Sequence, residues 1–245
     1  IAMASVERVY KTLKDLVNKD QRGFITPAVF NQFASVAQMN VYNRLFDRMT
    51  RSSRMGQRPA SSKESLEDLS TFTKQATLTL SSGITDKPSD FARAVTINTI
   101  TNVILGVSQS NLVQIVYNTD HIDRIINSDI MAPSDDAPVA LISDKIEVFP
   151  NTGTNITSIV LRYYKLPQGI NPTTQAKTTA QPSFGYTSAV TGVELYSAAN
   201  SVDFELPEMY FTDLIDEVAE LIGVSLRDKD VFSYASSENE KTSIS

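Results

Sequence analysis

Apolar residues recur at helical spacing near both ends of this chain and tend to alternate through its middle. Val6, Val9, Tyr10, Leu13, Leu16 and Val17 predict an amphipathic helix that ends near Asn18, with Gly23 marking the turn. Thr26 then caps a second helix, and Pro27 takes its first position, where the missing N–H costs nothing. Phe30, Phe33, Ala34, Ala37, Val41 and Leu45 form the buried stripe of that helix. Residues 1–50 thus read as a helical hairpin. Residues 51–70 are Ser/Arg-rich at their start, with Gly56 and Pro59 and no periodicity, and predict an exposed basic loop. Strands are expected over 71–80, 95–107, 111–117 and 188–196. A short helix is expected over 120–130, with Asn118, Thr119 or Asp120 as its cap, and a polar loop over 171–182. The last helix spans 207–222, with Pro207 in its first turn and Gly223 just past its end. Residues 228–245 turn polar and predict a mobile tail able to lie as an added strand on a neighbour. The expected class is α+β: a helical hairpin first, a central mostly antiparallel β-sheet, then an acidic helix and an extended tail. Residues 71–206 form the β-rich body of the same domain, and 207–227 the closing helix.

Residues 136–167, DAPVALISDKIEVFPNTGTNITSIVLRYYKLP, are the most informative. A short apolar run, an alternating KIEVF, the turn cluster PNTGTN and a β-branched and aromatic ITSIVLRYY predict three consecutive strands in a small antiparallel meander. This stretch resembles the strand block of virion ring proteins in the head-to-tail connectors of tailed phages, closest to those of the crAss-like group. Residues 16–46 resemble their amino-terminal helix–turn–helix, and 204–224 (FELPEMYFTDLIDEVAELIGV) their closing "ELP" and acidic helix. The resemblance implies a non-enzymatic structural protein, one subunit of a twelve-fold ring between portal and tail. Its partners would be copies of itself, the portal protein and other ring or tail proteins. Packaged DNA would pass through the lumen without sequence-specific binding. The location would be the virion, assembled in the host bacterial cytoplasm. Another tail or tail-associated virion protein, or a DNA-binding module built on the first hairpin, are the alternatives.

Charge refines this picture. The net charge is −6 with a pI near 4.9, so the surface as a whole repels nucleic acid. Arg44, Arg48, Arg51, Arg54, Arg58 and Lys63 crowd one segment against a single acid, Asp47. From Asp203 to Glu220 there are seven acids and no base. Asp213, Glu217 and Glu220 share a helix face, where like charges oppose the helix unless a basic surface meets them. Arg44, Arg48, Arg51, Arg54, Arg58, Asp213, Glu217 and Glu220 are therefore the expected interface residues, meeting other chains or each other across a subunit boundary.

Catalytic chemistry is not expected. There is no cysteine, which removes disulfides, thiol nucleophiles and thiolate metal sites. The one histidine, His121, reads as a surface or capping residue, and no G-x-S-x-G surrounds a serine. Residues 18–29 imitate a calcium loop but carry Arg22 and Val29 where ligands are needed. Asp135 and Asp136 lie in a turn before Pro138, where Asp serves its own backbone, and with Asp144 are not expected to hold a metal. No phosphate-cradling glycine motif occurs, so no cofactor is expected. No apolar run is long enough to cross a membrane, and no signal-peptide pattern is expected at the amino terminus.

Overall fold

The computed structural model describes residues 3–18, 25–54, 69–102, 108–188 and 194–226. In chain order these form α1 (Val6–Asn18), α2 (Pro27–Arg54), β1 (Thr73–Thr79), β2 (Ile84–Thr85), β3 (Phe91–Asn102), β4 (Ser108–Leu112) and β5 (Gln114–Val116). Then come α3 (Thr119–Ile126), β6 (Val139–Ile142), β7 (Ile146–Phe149), β8 (Ile156–Lys165), β9 (Gly169–Ile170) and β10 (Lys177–Thr178). β11 (Tyr186–Ser188), β12 (Glu194–Tyr196), β13 (Asp203–Phe204) and α4 (Phe211–Leu226) complete the chain. The class is α+β, as the periodicity predicts. Two compact units emerge: residues 69–166, and residues 1–68 together with 167–245.

Residues 69–166 build two four-stranded sheets, in the orders β1-β8-β3-β4 and β2-β7-β6-β5. The first is antiparallel throughout, and the second contains one parallel pair, β5 with β6. Ile97, Val113, Ala140, Ile146, Ile159 and Leu161 share one apolar core. A second, smaller core sets Ile122 and Ile125 of α3 against Val116, Val139 and Leu141. β6 is therefore covered on both faces, which explains its uninterrupted apolar wording.

Two expectations change here, and each change is a switch of sheet. The predicted meander is not one: β6 and β7 pair as a hairpin, but β8 crosses to the other sheet and pairs with β1 and β3. Pro150, which has no N–H to extend a ladder, stands at the crossing. The strand expected over 111–117 is divided at Val113. Its N–H donates to Ile97 O (2.9 Å), while the N–H of Gln114 donates to Pro138 O (3.0 Å) in the second sheet. Between β1 and β2, Ser82 and Gly83 have φ of 51° and 78°. Ser81 and Ile84 exchange backbone hydrogen bonds around them, and this turn hands the chain from the first sheet to the second. β3 also begins at Phe91, four residues before the predicted start, and 103–107 lie outside the described residues.

In the other unit α2 and α4 pack together, and α1 contacts α4. Val9 and Leu13 of α1, Phe30, Leu45 and Phe46 of α2, and Leu214, Val218 and Ile222 of α4 are all buried. α2 runs to Arg54, so the first residues of the expected basic loop are helical. Nothing from Val41 to Arg54 breaks a helix, the first glycine being Gly56, and arginine is a good helix former. Of the rest of that loop, Leu69 and Ser70 are helical with Leu69 buried, and 55–68 lie outside the described residues, as do Gly23 and the tail 228–245. Thr26 caps α2 as expected, its Oγ1 accepting from Val29 N (3.3 Å). Asn118 caps α3, accepting from Asp120 N (2.9 Å). Gly223 does not end the last helix. The helix continues to Leu226 through a buried glycine of ordinary helical φ, and its start is one 3₁₀ turn, Glu208–Tyr210, after Pro207. Residues 171–182 are not all loop, since β10 pairs with β9. Among the described residues, no helix is long and apolar enough to cross a membrane.

Candidate functional site

The polar side chains of the helical unit converge on Asp203–Pro207, a segment buried at every residue. Asp203 reaches the start of α1, where its Oδ1 accepts from Val6 N (2.8 Å), so the cap comes from far along the chain. Burial pushes the Asp203 carboxyl above its ordinary range, and the Val6 amide only partly offsets this. Ala4 N donates to Leu206 O (2.9 Å) and Phe204 N to Ala4 O (3.2 Å), tying residues 3–6 to the same segment. Glu205 is fully buried. Its Oε2 accepts from Gln168 N (2.9 Å), and Lys177 Nζ stands 2.9 Å from Oε1.

Two amides of α2, seven residues apart, complete this arrangement. Gln38 donates from Nε2 to Gln168 O (2.7 Å) and accepts at Oε1 from Glu205 N (2.8 Å). Asn31 donates to Phe184 O (3.1 Å) and accepts from Phe184 N (2.7 Å). Each offers one donor and one acceptor to the backbone, which is what a neighbouring strand would offer. Sequence reasoning missed both. The available signal was a polar residue in phase with an apolar stripe: Gln38 falls at helical spacing between Ala34, Val41 and Leu45.

The predicted interface residues are only partly brought together, and the contact lies inside one chain. The Arg44 guanidinium pairs with Glu217 Oε2, and Asn40 Nδ2 donates to Glu217 Oε1 (2.6 Å). Burial raises the Asp213 carboxyl, while Arg48 and Arg44 pull it down. Glu220 is half-buried on the same helix. Arg51 and Arg54 belong to the last turn of α2, and Arg58 lies outside the described residues. Glu208, another of the seven acids, pairs with Arg8. The acidic run is thus not a solvated face: Asp203, Glu205, Glu208 and Glu217 each hold a group of their own unit.

In the β unit, Asp90 accepts from Tyr163 Oη (2.7 Å) and from Lys74 Nζ (2.7 Å). Burial would raise the Asp90 carboxyl, but these two hydrogen bonds outweigh it and hold the group below its ordinary range. Burial and the Asp90 carboxylate push the Tyr163 phenol well above its usual value. A phenol held neutral beside a bound carboxylate fixes geometry and does not supply a base. Asp135 lies in a turn as expected, Ser134 and Ala137 exchanging backbone hydrogen bonds around it, but its carboxylate does not serve that turn. Its carboxylate accepts from Thr154 Oγ1 and from Asn155 N (3.2 Å), pinning the turn before β8 in place of its own backbone. His121 is exposed on α3, and Asp136 and Asp144 are exposed. Among the described residues, no group of three or more His, Asp or Glu is placed to hold a metal ion. No family model matches this chain, and no curated protein matches it.

Proposed function

We propose that this chain is a non-enzymatic structural protein of a tailed-phage virion, one subunit of an oligomeric ring in the head-to-tail connector. The observation that carries this reading is the resemblance of three segments, in order, to ring proteins of such connectors. Those segments supply the framework: β6 to β8 of the two sheets, most of α2, and the buried Phe204–Pro207 with α4. Asp203, Glu205, Glu217 and Asp90 are spent on backbone amides and internal cations, as a part whose work is shape requires. A net charge of −6 also suits a wall past which DNA must slide without adhering. Portal, neighbouring ring and tail proteins are its partners in this reading, and the virion its location. Native mass spectrometry of the connector released from particles tests it. The expected species is a closed cyclic oligomer of this chain bound to portal. A two-fold dimer as the sole native form would overturn it.

A further inference from the structure

We propose that copies of this chain join head to tail by pairing the outer edge of β1 in one copy with the outer edge of β4 in the next. The inference goes beyond the connector reading, because it rests on the sheet alone and holds whether the resulting multimer closes or stays open.

β1 and β4 are the two outer strands of the sheet β1-β8-β3-β4, and the hydrogen-bond register fixes which backbone groups each leaves outward. Lys165 N donates to Phe72 O (2.9 Å) and Leu80 N to Thr157 O (3.0 Å), at the two ends of an unbroken register. In an antiparallel ladder, alternate residues bond to one side. Lys74, Ala76 and Leu78 therefore bond to β8, and Thr73, Gln75, Thr77 and Thr79 turn their N–H and C=O outward. On the other edge, Val113 N donates to Ile97 O (2.9 Å), and the same register continues through Thr99 with Asn111 and Thr101 with Gln109. Ser108, Ser110 and Leu112 are then the outward residues of β4. Among the described residues no strand pairs with either edge.

Three features favour a second copy as the occupant. Each neighbouring pair in this sheet is antiparallel, so β4 and β1 run in opposite directions, and β4 of one copy meets β1 of another as a continuation of the same antiparallel ladder. None of the outward residues is charged, so the net charge of −6 is not concentrated where the copies meet. Sheet edges that must stay free are commonly guarded by lysine, proline or a bulge. Here the single charge on β1, Lys74, belongs to the other set of residues and is bound to Asp90. Finally, Leu112 is 70% exposed at the end of β4, and β1 offers three β-branched threonines as cross-strand partners. Such a contact joins two different surfaces and is therefore heterologous, giving rings or open chains and not an isolated dimer.

The chain has no cysteine, so introduced thiols report only the intended contact. Ser110→Cys is combined in turn with Gln75→Cys, Thr77→Cys and Thr79→Cys, since any of these can stand opposite it. Oxidation of the full-length protein over a concentration series should give a ladder of multimers for at least one pair and none for the single variants. Thr77→Pro removes an N–H that β8 does not use, a change that an edge strand accommodates. Introduced with Ser110→Cys and Gln75→Cys or Thr79→Cys, it should cut multimer yield on the order of tenfold, a modest loss of binding free energy. Thr77→Lys serves the same end should the proline variant fail to fold. Dimers from a single β1 cysteine would show two-fold edge pairing and overturn the proposal. So would the absence of cross-links from every pair, or multimers undiminished by both edge variants. Cross-linked open chains without cyclic species would leave this inference standing and count against the ring.

Discussion

At the scale of single residues, buried polar groups fix the packing within each compact unit. Gln38 is the clearest case, because it satisfies Gln168 O and Glu205 N at once. Gln38→Leu keeps most of the volume but strands both groups away from water, and each costs about 1–3 kcal/mol. Chemical denaturation should show a loss of at least about 2 kcal/mol. A loss below about 0.5 kcal/mol, typical of surface substitutions, would mean that water replaces the amide. Asp90 makes a prediction with a sign. Its carboxyl titrates below the ordinary range in the fold, so the unfolded chain binds its proton more readily. The stability it contributes is present above the ordinary carboxylate value of about 3.9 and is lost as pH falls through the lower native one. Asp90→Asn should flatten the acid limb of a stability–pH curve and lower stability at neutral pH. An unchanged acid limb would remove Asp90 from the account. Asp203 and Asp213, both raised, act oppositely: their contribution is present below the ordinary carboxylate value and is lost as pH rises through the higher native one.

At the scale of elements, the turns between sheets decide more than the strands they join. Gly83 has φ of 78°, and a Cβ there would come 2.6 Å from Asn151 Cβ and 2.9 Å from Val148 O. Val148 N also donates to Gly83 O (2.8 Å), so the turn is tied to β7 and cannot move away freely. Gly83→Ala adds a crowded methyl to a left-handed residue, and the expected cost is about 2 kcal/mol. Thermal unfolding by circular dichroism measures it. A melting temperature equal to that of the parent would show that the turn is soft. The helices follow a simpler logic. α2 and α4 carry the wide apolar faces, and the pair formed by Arg44 and Glu217 lies beside them. Removing one partner of such a part-buried pair leaves the other charge without compensation.

At the scale of the whole molecule, two kinds of contact between copies respond to salt in opposite ways. A contact built on basic and acidic segments weakens as ions screen it. One built on uncharged strand edges strengthens, because screening reduces the mutual repulsion of chains carrying a net charge of −6. With Arg44 and Glu217 already joined inside one chain, the second behaviour is expected. The isolated protein should associate weakly in dilute buffer, and more strongly when salt rises from about 0.01 to 0.15 M, as the screening length falls from about 30 to 8 Å. Sedimentation velocity reads this directly, and association that weakens with salt would restore the charged segments as the contact.

The sequence by itself determined the composition of the elements. Helical spacing at both ends, alternation in 73–79, Thr26 and Asn118 as caps and the apolar run of β6 are local properties, set by side-chain period and by backbone chemistry within a few residues. The lack of cysteine and of a phosphate-cradling glycine motif was legible because both are matters of composition and local wording. Only the tertiary structure decided pairing. That β8 leaves the β6–β7 hairpin for β1 and β3, or that Val113 and Gln114 serve different sheets, depends on partners tens of residues away, and no local pattern encodes which edge a strand will find. The acidic helix shows the same limit for charge. Asp213, Glu217 and Glu220 look identical in sequence whether water, another chain or Arg44 faces them, because periodicity gives a residue's direction and not what lies there. Burial and the distance between opposite charges set the outcome, and both are properties of the folded chain.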